Sequence, residues 1–149
     1  MEYVEEQFRR YRNDVYRLAV SYTHSLADAE DVCQTVFLKM IEARRIEPGK
    51  EKSWLMQVTA NECKSLLRSC WWKRTAPLEE TLPAAAKEFD STLQCLLQLD
   101  PKYRVVLYLH YYERFTAKEI ASLLKISTSA VTTRLSRGRE QLKPLLKEE

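Results

Sequence analysis

The sequence predicts an all-α protein of two small helical domains joined by a flexible linker, the second domain containing a helix-turn-helix. Three observations predict it. Only two glycines and five prolines occur in 149 residues, so few turns are forced and a strand-rich sandwich or barrel is disfavoured. Apolar residues recur at helical spacing almost throughout. That periodicity lapses once, over a proline-bearing stretch that begins near Thr75. The expected organisation is therefore a domain over 1–74, a linker over 75–91 and a second domain over 92–149.

The first helix carries its apolar stripe on Val4, Phe8, Tyr11, Val15, Leu18 and Tyr22. Asp28 helps start a second, whose buried face is Ala29, Val32, Cys33, Val36 and Met40. Pro48-Gly49 breaks the pattern in a loop. Ser53 is positioned to cap a third helix with a stripe of Leu55, Val58, Glu62 and Leu66. Glu62 interrupts that stripe, and Trp54 widens it. The segment Ala76-Pro-Leu-Glu-Glu-Thr-Leu-Pro has no sustained period and reads as linker.

A second helical block starts near Ser91. Asp100-Pro101 is an N-cap followed by proline at the first helical position, opening a helix with Val105, Val106, Leu109 and Tyr112. Thr116-Ala-Lys-Glu119 is a capping-box sequence for a short helix through Leu124. Lys125-Ile126-Ser127 makes a tight connection to a last helix with Val131, Leu135 and Leu142 on one stripe. Two helices joined by so short a turn form a helix-turn-helix candidate.

Composition narrows the chemistry. Hydrophobic residues make up 45% and charged residues 30% of the chain, with a net charge of +3. This is a globular composition, mildly basic and compatible with nucleic acid. Cys33, Cys63, Cys70 and Cys95 form no C-x-x-C pair, and His24 and His110 lie far from them. They read as buried small hydrophobes in a reducing cytoplasm, with no metal site and no cofactor. The charged start, Met1-Glu-Tyr-Val-Glu-Glu, lacks a signal core, and no run reaches the length of a membrane span. A cytoplasmic location without membrane insertion is expected. No nucleophile–base pair, glycine-rich phosphate loop or ligand cluster stands out, so the chain is not expected to be an enzyme.

Three surfaces carry the candidate binding residues. At the start of the last helix, Thr128, Ser129, Thr132 and Thr133 face outward, with Arg134, Arg137, Arg139 and Lys143 as a basic flank. A recognition helix reads the major groove with its N-terminal residues, and arginine pairs bidentately with guanine. In the third helix, Asn61, Lys64, Ser65 and Arg68 fall at i, i+3, i+4 and i+7, on one face. Arg68, Trp71, Trp72, Lys73 and Arg74 then mix cations with flat rings, which suits single-stranded nucleic acid. Tryptophans at a helix end more often close a core, and that is the competing reading of Trp71 and Trp72. The second helix opens with Asp28, Glu30 and Asp31, which the helix dipole favours by itself. Beyond them Gln34, Phe37, Leu38 and Ile41 extend away from the buried stripe, and a partly apolar outer face suggests a protein partner.

These residues resemble a known family. Tyr16-Arg-Leu-Ala19 and Asp28-Ala-Glu-Asp-Val-Cys-Gln-Thr-Val-Phe-Leu-Lys39 are similar to the most recognisable stretch of bacterial sigma factors, and Trp54-Leu55 and Asn61 continue the likeness. Leu99-Asp-Pro-Lys-Tyr-Arg104, Thr116-Ala-Lys-Glu-Ile-Ala121 and Val131-Thr-Thr-Arg-Leu-Ser-Arg-Gly-Arg139 resemble the C-terminal domain of the same family. The short two-domain layout is similar to its extracytoplasmic-function group. The resemblance implies that Asp28, Glu30, Asp31, Gln34, Phe37 and Leu38 meet the clamp of core RNA polymerase. It also implies that the third-helix face opens and holds the minus-ten promoter element, that the last helix reads the minus-thirty-five element, and that an anti-sigma factor regulates the chain. Two positions depart from the family's pattern: Ser65 stands where Asp is frequent, which bears on minus-ten preference, and Gly138 where Ala is frequent. A glycine inside a helix costs about 0.5–1 kcal/mol relative to alanine, so the last helix is expected to end or bend at Gly138. The competing expectation is a helix-turn-helix regulator that binds DNA without polymerase. A structural adaptor is a third, and the basic last helix argues against it.

Overall fold

The computed structural model describes residues 2–43, 46–70 and 89–147. Among them the order is α1 Glu2–Thr23, α2 Leu26–Glu42, α3 Glu51–Cys70, α4 Ser91–Leu96, α5 Pro101–Tyr111, α6 Ala117–Leu124 and α7 Thr128–Lys147, with no strand. The chain divides into two compact units, residues 1–80 and 81–149. Most of the stretch expected as linker, through residue 88, lies outside the described residues. Its end does not, and there Asp90 accepts a 2.8 Å bond from the Leu93 N–H and Ser91 opens α4.

In the first unit α1, α2 and α3 pack pairwise. Val15, Leu18, Ala19 and Tyr22 of α1 are buried, whereas Phe8 remains 38% exposed. In the first two turns it is Gln7 that is buried, so the expected α1 stripe holds only from Val15 onward. The cap of α2 is Ser25, whose hydroxyl accepts the Asp28 N–H at 3.2 Å; Asp28 sits in the first turn, not at the cap. The buried set Ala29, Val32, Cys33, Val36 and Met40 is as expected, but Phe37 joins it.

The start and rotation of α3 differ from expectation. The helix opens two residues before Ser53, with the Lys50 carbonyl accepting from Trp54 N at 2.9 Å. Gly49, in the left-handed region at φ 86°, donates its N–H to the Glu51 carboxylate at 2.8 Å. The backbone N–H of Glu51 itself, then the Tyr3 hydroxyl and, less strongly, the Gly49 N–H hold the carboxyl below its ordinary range. A carboxylate reaching back to a loop amide replaces the hydroxyl cap that the sequence suggested. The core stripe is Leu55, Met56, Thr59, Ala60 and Cys63. Val58, Glu62 and Leu66 are only half-buried, and Glu62 pairs with Lys39 of α2. Ala60 and Cys63, both fully buried, belong to this stripe. Burial pushes the Cys63 thiol up to about 12, so it stays protonated and behaves as an apolar filler.

The second unit is built around α5. Every residue from Tyr103 to Leu109 is buried, because α4, α6 and α7 all pack on this helix. Arg104 is only 4% exposed and donates to the Leu99 carbonyl at 3.0 Å. Burial lowers its pKa to about 10, opposed by nearby Asp100. The capping box of α6 forms as read: Glu119 N donates to Thr116 Oγ1 at 3.1 Å, and Thr116 N donates to Glu119 Oε1 at 2.9 Å. Lys125, at φ 60° and ψ 45°, supplies the left-handed C-cap that glycine more often fills.

The last helix does not end at Gly138; it continues to Lys147, with Pro144 inside its last turns. Gly138 is buried against α5, where an added Cβ would lie 2.9 Å from Leu107 Cδ1 and 3.3 Å from Tyr103 Cβ. The lost helix propensity is offset by close approach of the two helices. Gly138→Val should destabilise the second unit by about 1–3 kcal/mol through overpacking. Gly138→Ala should cost less, because alanine restores helix propensity and displaces Leu107 and Tyr103 by less than valine does. Urea unfolding followed by circular dichroism measures both.

Candidate nucleic-acid and polymerase interfaces

The face of α7 that looks outward is set by the face it buries. Val131, Leu135, Gly138 and Leu142 lie inward at i, i+4, i+7 and i+11. Thr128, Ser129, Thr132, Thr133 and Arg137 are exposed as expected, and Arg134 is half-buried. Ser127 begins the helix by accepting the Ala130 N–H at 3.0 Å. Thr132 Oγ1 donates to the Ser129 carbonyl at 3.0 Å. Its proton is thus engaged, and it meets an incoming group chiefly as an acceptor.

The basic flank of α7 is two flanks. Arg139 turns to the opposite side, donating to the Tyr111 hydroxyl at 3.0 Å. There it borders an apolar groove of about 520 Å³ that also involves Leu96, Leu142, Lys143 and Leu146. Arg134 and Arg137 instead border a cavity of about 410 Å³ with Ser127, Ser129, Thr133, Tyr103 and Lys102. Sequence reasoning missed Lys102. Only the packing of α5 on α7 carries it to the recognition face, and nothing local signals that.

In the first unit, Asn61, Ser65 and Arg68 are exposed and Lys64 is half-buried, so the polar face of α3 exists as read. Gln57 Nε2 donates to Asn61 Oδ1 at 3.2 Å, so the amide oxygen of Asn61 is engaged within the helix. Ser65 also lines a shallow cleft with Asp31, Thr35 and Glu62. Trp71 and Trp72 lie outside the described residues.

On α2, Glu30, Asp31, Gln34 and Leu38 are exposed and Asp28 is half-buried. Leu38, at 59% exposure, and Ile41, at 40%, are apolar side chains left to solvent. Phe37 contradicts its expected outward position: it is 5% exposed and packs edge-on against Phe8, with ring centroids 5.0 Å apart. Phe8 of α1 reaches over that side of α2, so the ring serves the core while the next residue serves the surface.

The sequence matches the family model "Sigma-70 region 2" over residues 7–73. It matches "Sigma-70, region 4" over residues 89–142. It is 35% identical to the RNA polymerase sigma factor CarQ of Myxococcus xanthus, over 97% of this chain and 89% of that protein. It is 29% identical to the ECF RNA polymerase sigma factor SigM of Bacillus subtilis (strain 168), over 95% of this chain and 94% of the relative. Identity is also 29% to SigE of Mycolicibacterium smegmatis, of which the chain spans 61%. Among solved structures, the fold is similar to the sigma factor RpoE crystallised with the anti-sigma factor NepR from Bartonella quintana. The TM-score is 0.74 at 18% identity, covering 99% of this chain and 98% of that one. It is similar also to CnrH in complex with the cytosolic domain of CnrY, with TM-score 0.66 at 24% identity, over 98% of this chain and 88% of that one.

The two neighbours on α2 should separate stability from surface chemistry. Phe37→Ala is expected to cost about 3–5 kcal/mol as a buried aromatic truncation. Leu38→Ala should stay within about 0.5 kcal/mol. Urea denaturation monitored by tryptophan fluorescence checks both values, since Trp54, Trp71 and Trp72 all fall within the first unit.

Proposed function

The chain belongs to the sigma-70 family of RNA polymerase sigma factors, of extracytoplasmic-function type, and from that premise we propose how its exposed faces divide the work of promoter-directed initiation. It acts as a non-catalytic, cytoplasmic subunit that joins core RNA polymerase and brings it to promoter DNA. The observation that carries this reading is the ordered pair of family regions in one chain, region 2 before region 4, each matched to an outward-facing candidate surface.

The first domain, 1–74, docks on polymerase through α2. Leu38 and Ile41 supply apolar contact, and Asp28, Glu30, Asp31 and Gln34 supply polar rim, a mixture typical of a protein interface. Phe37 contributes by holding α2 against α1, not by touching the partner. Asn61, Lys64, Ser65 and Arg68 meet the minus-ten strand, with Trp71 and Trp72 flanking it. The second domain, 92–149, reads the minus-thirty-five element with α7. Thr132 and Thr133 approach base edges as hydroxyls, with Thr128 and Ser129 at the helix start. Arg134 lies nearer that start and acts as the base reader; Arg137 takes the backbone. One solved structure of similar fold is a sigma factor crystallised with an anti-sigma factor, and an anti-sigma factor is proposed as the regulator here. No helix among the described residues is long and apolar enough to cross a membrane.

Purified chain mixed with core polymerase should co-elute in gel filtration and give promoter-specific transcripts that neither component gives alone. Leu38→Ala combined with Gln34→Ala should weaken core binding without changing stability. Persistent separation of wild-type chain from core enzyme would refute the reading. Within holoenzyme, Arg134→Ala should cost about 1–3 kcal/mol and relax preference at one base pair. Arg137→Ala should weaken all promoter variants alike and lower the salt slope by about one unit. Binding to single-base promoter variants at several salt concentrations distinguishes the two, and a uniform loss for Arg134→Ala would move it to the backbone.

A further inference from the structure

We infer that Lys102, on the first turn of α5, is a DNA-backbone contact that works with Arg137 of α7 to seat one promoter phosphate beside the recognition helix. The inference rests on the reading that α7 enters the minus-thirty-five region, and it adds a residue from a different helix to that surface.

Three observations support it. Lys102, Arg134 and Arg137 converge from two elements on one cavity of about 410 Å³, whose remaining lining is Tyr103, Ala130 and the hydroxyl residues Ser127, Ser129 and Thr133. Among the described residues, no carboxylate lies within ion-pair distance of any of these three cations. None of the three is tied up in a direct ion pair, so each is available to neutralise a phosphate and release the cations condensed on the DNA, the main driving force for backbone contact. Finally, the Lys102 ammonium is held over the ring of Tyr103, 5.1 Å from its centroid. Tyr103 is itself buried and faces Gly138 across the α5–α7 contact. The attraction between cation and ring biases a long flexible side chain toward the cavity before any ligand arrives, which lowers the ordering cost of binding.

A phosphate suits the site better than a base edge. Lysine is a compact point charge with three rotatable donors and no fixed fork, adequate for a phosphate oxygen but poor at selecting one base. Surrounding hydroxyls add neutral donors to the same oxygens. Lys102 thus fixes how deeply and at what angle α7 sits, and it carries no sequence information itself.

The test uses reconstituted holoenzyme and labelled promoter DNA. Lys102→Gln should weaken binding to every single-base minus-thirty-five variant by the same factor. It should also make the plot of log affinity against log salt shallower by about 0.9. Lys102→Arg should keep the wild-type slope. Neutral methylphosphonate linkages, placed one at a time through the minus-thirty-five region, should identify one position that weakens wild-type binding by a larger factor than it weakens Lys102→Gln, in which Arg137 alone still meets that phosphate. A loss confined to one base pair, or a wild-type slope in Lys102→Gln, overturns the inference. If wild-type holoenzyme shows no dependence on the minus-thirty-five sequence, the underlying reading of α7 fails as well; if that dependence is present and Lys102→Gln behaves as wild type, this inference alone fails.

Discussion

In units of three and four helices, each outer helix has one stripe to bury and one face left over, and every candidate binding surface of this protein is such a leftover face. The tightest instance is the contact of α7 with α5. Gly138 brings the helices so close that a single methyl would press on Leu107. With Val131, Leu135 and Leu142 buried on the same side, the rotation of α7 is fixed. Thr132, Thr133 and Arg137 then face out as a geometric consequence, and Arg139 is sent to the other side of the helix. α5 responds to the same constraint from the inside, since three helices surround it and even Arg104 must be buried with a backbone carbonyl for company.

The first unit shows how finely the division runs. Successive helical residues are 100° apart, so Phe37 and Leu38 serve different purposes although they are neighbours in sequence. Phe37 closes on Phe8, and Leu38 is given to solvent. Lys39 then ties α2 to Glu62 of α3. The pair is partly exposed and contributes little to stability, but it crosses between the helix expected to meet polymerase and the helix expected to meet DNA. The faces of α2 and α3 are thereby held in one relation by a shared core and a lateral tie.

Much of this was legible in the sequence because it is local. Thr116 and Glu119 are three residues apart and cap one another whatever the rest of the chain does. Asp100 and Pro101 open α5 at the positions read from sequence, although the Asp100 side chain makes no capping bond, and the short Lys125-Ile126-Ser127 connection forces two helices into a helix-turn-helix. What was not legible depends on residues distant in sequence. Phe37 looks outward until Phe8 arrives from α1. Glu62 looks like a flaw in an apolar stripe until Lys39 is opposite and the true stripe is seen to run through Thr59, Ala60 and Cys63. Gly138 looks like a helix breaker until Leu107 occupies the space a side chain would need. The start of α3 was misplaced because Glu51 caps from inside the helix by reaching back to Gly49, a device with no hydroxyl to announce it. Lys102 was invisible as a binding residue because its neighbours in the cavity are about thirty positions away.

The central claim is that one chain presents two DNA-reading surfaces that act only together and only on polymerase. Selection of binding sites from random duplex DNA by reconstituted holoenzyme tests it most directly. The account predicts enrichment of two short elements at a fixed separation, with no enrichment by core polymerase alone and little by the free chain. Enrichment of the same composite site by the free chain, at an affinity matching that of the holoenzyme, would contradict it and assign the protein to regulators that bind DNA without polymerase.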